Sequence, residues 1–74
     1  MMSQNVLPQT PAARLIRIAE VERTTGLKRP TIYRHMAAGT FPASIKLSPS
    51  CTAWSEAEVQ AWIAQRIAAS REAA

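Results

Sequence analysis

Several residue types are scarce in this sequence of 74 residues, and each scarcity excludes a class of function. Cys51 is the sole cysteine and His35 the sole histidine, so we expect neither an internal disulfide nor a metal site. No apolar run approaches the roughly 18 to 20 residues that cross a bilayer, and residues 1–6 contain neither a basic leader nor an apolar signal segment. We therefore predict a cytoplasmic protein with no membrane contact, no cofactor and no small-molecule ligand.

The chain is also short for an enzyme. A domain of this size buries only about 60% of its unfolded surface, so a deep catalytic cavity would remove apolar volume that the fold needs. The spacing of the serine, histidine and glutamate residues does not suggest a catalytic triad. The hydrophobic fraction of 47% still suffices for a folded core. We predict one non-enzymatic domain at residues 14–69, between a flexible N-terminal tail at 1–13 and a frayed C-terminal tail at 70–74.

Acidic residues are few, and the basic residues are unevenly distributed. Five acidic residues face nine lysines and arginines, which gives a net charge of +4. Seven of the nine basic residues lie between Arg14 and Lys46, where the net charge is +5, whereas the segment from Leu47 onward has a net charge of −1. A basic balance in so short a chain points to a polyanionic partner. The positive charge is concentrated in the first half of the domain.

Two short helical patterns flank a glycine. The segment Ile18–Thr25 is amphipathic, and Gly26 can adopt the left-handed conformation that closes a helix. A second helix is predicted to begin between Lys28 and Pro30, because proline fits the first helical turn, and to run to Ala38. Two short helices joined by a tight glycine turn, with basic side chains exposed on the second, are typical of a helix-turn-helix.

The remaining segments predict a small β-structure and a third helix. Residues 15–18 form a short apolar stretch that favours a brief strand. The alternating pattern at 43–54 around a turn predicts a β-hairpin, or wing. Residues 55–58 form a capping box that starts a third helix, and Trp54 and Trp62 are expected in the core. The predicted fold is therefore mainly α with a small β-hairpin, a winged helix-turn-helix with three helices.

The exposed stripe of the second helix provides the candidate contacts with DNA. Thr31 and Arg34 are suited to base contact in the major groove, where arginine can bridge guanine O6 and N7. Lys28 and Arg29, at the positive end of the helix dipole, are suited to phosphates. His35 is predicted in the same exposed stripe, Tyr33 beside the core-facing residues, and the remaining basic candidates as flanking phosphate contacts. The candidate residues are Lys28, Arg29, Thr31, Tyr33, Arg34, His35, Arg17, Arg23 and Lys46.

Several short motifs follow one another between Arg14 and Ala69: Thr25-Gly26-Leu27, Thr31-Ile32-Tyr33-Arg34, Gly39-Thr40-Phe41-Pro42, Lys46-Leu47, Ala53-Trp54 and Glu58-Val59-Gln60-Ala61-Trp62-Ile63. In this order they resemble the AlpA family of phage and prophage regulators. The resemblance implies a winged helix-turn-helix related to excisionases and to the DNA-binding heads of MerR-type regulators. It further implies a double-stranded DNA partner, transcriptional regulation in a prophage or other mobile element, and no catalytic residues.

The sequence departs from the family pattern at two places. Family members usually have a glycine-rich wing tip with one or two arginines, whereas this chain has Ser48-Pro49-Ser50-Cys51. Lys28 stands where the family commonly has a serine at the start of the recognition helix, and loss of such a cap costs about 0.5 to 2 kcal/mol. We therefore expect DNA binding to depend more on the helix than on the wing.

Three functional alternatives stay open at the level of sequence. The first is a transcriptional regulator in the bacterial cytoplasm, associated with the nucleoid through DNA. The second is an excisionase-like recombination directionality factor that bends attachment-site DNA. The third is an interaction module that docks on an integrase or an RNA polymerase, which the uncharged wing tip favours. Because one small domain buries little surface on DNA, we also expect either self-association, by pairing or head-to-tail assembly on repeated sites, or DNA bending.

Overall fold

The computed structural model describes residues 13–73 and confirms the predicted fold class. Within that range three helices and a small antiparallel sheet follow one another along the chain. The predicted tail at 1–13 lies outside the described residues except for Ala13, and the domain limits of 14–69 stay a prediction. The elements are β1 (Leu15–Ile16), α1 (Ile18–Thr25), α2 (Arg29–Ala37), β2 (Ile45–Ser48), β3 (Cys51–Ser55) and α3 (Glu56–Ala73).

β3 is the central strand of the sheet, whose order is β1-β3-β2. It pairs antiparallel with β1, where Ile16 lies opposite Trp54, and antiparallel with β2, which confirms the predicted hairpin. β1 is shorter than the predicted apolar stretch at 15–18. The reason is that Arg17 takes the extended N-cap position of α1, so Ile18 already belongs to the helix.

The core is small and receives at least one side chain from each helix. Trp54 is its largest fully buried residue, and Ile32 is likewise wholly buried. Met36 and Trp62 pack against it from partly exposed positions, which confirms that α2 turns the Ile32 side inward. Trp62 contacts Phe41 edge-on, with ring centroids 4.8 Å apart. The buried core cluster consists of Ile16, Val21, Ile32, Phe41, Trp54 and Val59.

The turn between α1 and α2 is built by two neighbouring residues. Gly26 has φ of 79°, as predicted for a left-handed helix end, and its N–H donates to the Glu22 carbonyl at 2.8 Å. The Thr25 hydroxyl donates to the Val21 carbonyl at 2.8 Å and accepts the Leu27 N–H at 3.1 Å. The turn is therefore held by a side chain as well as by the glycine backbone.

Gly26→Ala is expected to lower the free energy of unfolding by about 1 to 2 kcal/mol, because a β-carbon disfavours the left-handed conformation. A Cβ built at Gly26 meets nothing within 4 Å, so the loss would come from the backbone alone. Gly26→Asn is the matched control and should lose less, since asparagine tolerates positive φ better. Urea unfolding of the three proteins measures this order; equal loss in both variants would contradict the backbone explanation.

α3 begins as predicted and ends later than expected. Ser55 Oγ accepts the Glu58 N–H at 3.3 Å, one of the two hydrogen bonds of the predicted capping box. The helix then continues to Ala73, where the sequence had suggested a frayed tail from residue 70. All residues from 64 to 73 are exposed. Arg66 still stacks on Trp62, whereas the turns beyond Ile67 are supported by their alanine-rich composition.

Candidate nucleic-acid interface

The side of α2 that points away from the core is open to solvent. We call this surface the outer face of α2. Arg34 is exposed there and Thr31 is half-buried, and Arg34 Nη2 donates to Thr31 Oγ1 at 3.3 Å. The two residues predicted to contact bases therefore lie side by side. The outer face of α2 consists of Pro30, Thr31, Arg34, Ala37 and Ala38.

The start of α2 combines two exposed cations with a carboxylate. Lys28 occupies the N-cap position in an extended conformation, but a lysine side chain has no acceptor oxygen. The Arg29 N–H donates instead to Glu22 Oε2 in α1, at 2.7 Å. This role of Glu22 was not predicted from the sequence. The available signal was the lack of a capping residue at position 28, which implies that another acceptor serves the helix start.

Two of the predicted flanking residues, Arg17 and Lys46, are neighbours of Thr52 in β3. Arg17 Nε donates to the Thr52 carbonyl at 3.1 Å, and Lys46 in β2 lies directly opposite Thr52 in the hairpin. Both cations are exposed. Thr52 and Trp54 are two residues apart on β3 and therefore share a face of the sheet. Lys46 lies on the same face because it is paired directly with Thr52. Tyr33 of α2 packs against Trp54, so Lys46 and Thr52 lie on the sheet face that α2 contacts through Tyr33.

Tyr33 lies beside the core, as expected. Its ring meets that of Trp54 edge-on, with centroids 6.0 Å apart and an angle of 66° between the planes. The residue nevertheless keeps 43% of its surface exposed. Tyr33 therefore covers the core on one side and reaches solvent on the other, next to the outer face of α2.

His35 occupies a different position from the predicted stripe. It is half-buried, its ring lies edge-on to Trp62 at 6.2 Å, and its Nδ1 is 2.8 Å from Thr40 Oγ1. The same hydroxyl lies 3.1 Å from the His35 carbonyl, to which it can donate. Three residues of an α-helix turn through about 300°, so His35 lies about 60° around the helix axis from Ile32, which faces the core. His35 thus joins α2 to α3 at the edge of the outer face.

Arg23 differs from the other predicted flanking residues because a carboxylate already engages it. Its Nη2 lies 2.5 Å from Glu20 Oε1, one turn away on α1. The hydrogen bond from Arg23, and then its positive charge, hold the pKa of the Glu20 carboxyl below its usual value. A phosphate contact by Arg23 would have to compete with this ion pair, so Arg23 is a weaker candidate than Arg17 or Lys46.

The wing presents apolar and uncharged groups at its tip. Ser48, Pro49 and Ser50 are all exposed. Ile45 and Leu47 in β2 keep 38% and 50% of their surfaces exposed. Apart from Lys46, the hairpin carries no positive charge, so most of its surface is not suited to phosphate contact.

Residues 13–73 contain neither a metal-binding cluster nor a membrane-spanning helix. No group of three or more histidine, cysteine, aspartate or glutamate side chains within residues 13–73 is arranged to hold a metal ion. None of the helices over the same range is long and apolar enough to span a bilayer.

The protein is a winged helix-turn-helix protein. A glycine turn leads from α1 into the exposed basic helix α2, and a β-hairpin and a third helix follow. The family model of the prophage CP4-57 regulatory protein (AlpA) matches residues 14–67. The chain belongs to this AlpA family, as the sequence resemblance predicted.

Two curated relatives extend over most of the chain. The uncharacterized protein ORF88 of Enterobacteria phage P4 is 42% identical over 62 residues, which cover 84% of this chain and 70% of the relative. The DNA-binding transcriptional activator AlpA of Escherichia coli (strain K12) is 34% identical over 61 residues, which cover 74% of this chain and 87% of the relative. No solved structure matches the chain.

Proposed function

We propose that this protein is a sequence-specific DNA-binding regulator of transcription in a prophage or related mobile element, without enzymatic activity. The observation that carries the proposal is the open outer face of α2, on which Arg34 and Thr31 lie side by side. The name of the 34% identical relative, a DNA-binding transcriptional activator, supports it. Such a protein would work in the bacterial cytoplasm, on the DNA of the nucleoid.

In this proposal α2 enters the major groove, which admits one α-helix. Arg34 bridges guanine O6 and N7, and its hydrogen bond to Thr31 restricts the guanidinium before DNA arrives. Lys28 and Arg29 contact phosphates at the helix start. Arg17 and Lys46, both neighbours of Thr52, contact phosphates of the DNA backbone. His35 supports the helix through Thr40 and makes no base contact.

Binding to duplex DNA is expected to weaken steeply with salt, because each neutralised phosphate adds about 0.9 to the slope of log affinity against log salt. Four phosphate contacts, by Lys28, Arg29, Arg17 and Lys46, would give a slope of about −3.6. Lys28→Ala should reduce the slope by about 1. Fluorescence anisotropy with a labelled duplex at several salt concentrations measures it.

The matched control is Arg71→Ala, which removes one positive charge near the far end of α3 and should leave the slope unchanged. Weak or salt-independent binding by the parent protein would contradict a phosphate-contacting interface. A footprint on the DNA that flanks the protein's own gene then tests the regulatory role. Protection at a promoter is expected, whereas protection confined to an attachment site would indicate an excisionase.

A second candidate function is docking on an integrase or RNA polymerase, and the exposed Ile45 and Leu47 favour it. Leu47→Ser would remove apolar surface from the wing while leaving the outer face of α2 intact. Under the DNA-binding proposal this variant binds duplex DNA as the parent does. Unchanged DNA affinity with loss of transcriptional activity would assign the wing to a protein partner.

A further inference from the structure

We infer that Glu22 is a positioning residue of the DNA interface, with two opposed effects. Its carboxylate caps α2 from the preceding helix, and its negative charge lowers the affinity of that same helix start for phosphate. The second effect rests on the proposed function, whereas the first concerns the free protein. Both follow from where one side chain lies relative to Lys28 and Arg29.

The capping role follows from the hydrogen bonds at the start of α2. The first backbone N–H groups of a helix have no partner within the helix, and Lys28 supplies no acceptor. Glu22 Oε2 accepts the Arg29 N–H at 2.7 Å. A bond to a charged acceptor is stronger than one between neutral groups, and the positive end of the helix dipole stabilises the carboxylate. Glu22 therefore replaces the missing local cap.

Glu22 also connects the two helices of the motif. Its backbone carbonyl accepts the Gly26 N–H at 2.8 Å and so closes α1, while its side chain bonds the first residue of α2. One residue is thus fixed at both sides of the turn. Since the angle between the helices decides how Arg34 is presented, the cap also orients the outer face of α2.

The charge effect follows from the neighbours of the carboxylate. Between Arg14 and Lys46 the sequence contains two acidic residues, and Glu20 is paired with Arg23. Glu22 instead lies at the helix start that Lys28 and Arg29 are proposed to bring against phosphate. A neutral acceptor would cap the helix without repelling DNA. Glu22 therefore lowers the affinity for DNA, and glutamine at this position would raise it.

Three variants separate these effects. Glu22→Gln keeps an acceptor oxygen and removes the charge, Glu22→Ala removes both, and Glu72→Gln removes one negative charge near the exposed end of α3. Duplex affinity at low salt and the hydrogen exchange rate of the Arg29 amide are measured for each and for the parent. Circular dichroism checks that all four proteins are folded.

Glu22→Gln is expected to bind DNA about two- to fivefold more tightly than the parent, the effect of one unit charge a few ångströms from a phosphate when water screens the pair. Glu72→Gln should change affinity much less. Glu22→Ala should bind more weakly than Glu22→Gln, since these two differ in the acceptor and not in charge. Its Arg29 amide should exchange on the order of tenfold faster than that of the parent.

Equal tightening by Glu22→Gln and Glu72→Gln would overturn the charge effect, because only net charge would then matter. An unchanged Arg29 exchange rate in Glu22→Ala would overturn the capping role. If no protein, including the parent, binds duplex DNA, the proposed function and the charge effect both fail. Faster Arg29 exchange in Glu22→Ala would in that case still support the cap.

Discussion

Trp54→Ala is expected to unfold the protein at ordinary temperature. Trp54 is fully buried, lies opposite Ile16 in the sheet and supports Tyr33 of α2. Truncation of a buried tryptophan to alanine costs about 3 to 5 kcal/mol. A domain of this size has a stability of roughly 3 to 9 kcal/mol, so the loss removes most of it. Thermal unfolding followed by circular dichroism measures the effect.

Trp54→Phe is the matched control for this prediction. Within residues 13–73 no acceptor lies within hydrogen-bond reach of the buried Trp54 Nε1, so phenylalanine loses ring volume without breaking a hydrogen bond to these residues. Its destabilisation should therefore be well below that of alanine, and the protein should stay folded. A Trp54→Ala protein that melts with the parent would show that the core does not depend on this side chain.

Arg34→Ala is expected to abolish most of the sequence preference in DNA binding while leaving the fold intact. A bidentate arginine contact with guanine contributes about 1 to 3 kcal/mol of discrimination between bases. Arg34 is exposed, and the hydrogen bond that it makes to Thr31 stays within one helix, so its removal should not disturb the core. The measurement is the ratio of affinities for the footprinted site and a scrambled duplex at one salt concentration.

Arg34→Lys provides the control for charge. Lysine keeps the positive charge but lacks the planar fork of donors, so this variant should retain the salt dependence of the parent and lose sequence preference. Arg71→Ala controls for the loss of an arginine elsewhere and should leave the affinity ratio unchanged. If Arg34→Ala discriminates between the two duplexes as the parent does, base recognition belongs to another residue, with Thr31 as the next candidate.

Much of the fold could be predicted because its boundaries depend on local chemistry. Gly26 ends α1 because glycine tolerates positive φ. Pro30 marks the first turn of α2 because its missing N–H needs no partner there. Ser55 starts α3 because its hydroxyl accepts a nearby backbone N–H. The end of α3 at Ala73 was not predicted, since the apolar stripe stops at Ile67 and helix propensity alone extends the helix beyond it.

The sequence by itself determined the order of the elements, the side of α2 that faces the core and the concentration of positive charge before Lys46. Only the tertiary structure decided which side chains meet across elements. It brings Glu22 to the start of α2, places Arg17 beside Thr52, and turns His35 toward α3. Such contacts depend on the angles between elements, and the periodicity of a single helix or strand contains no information about those angles.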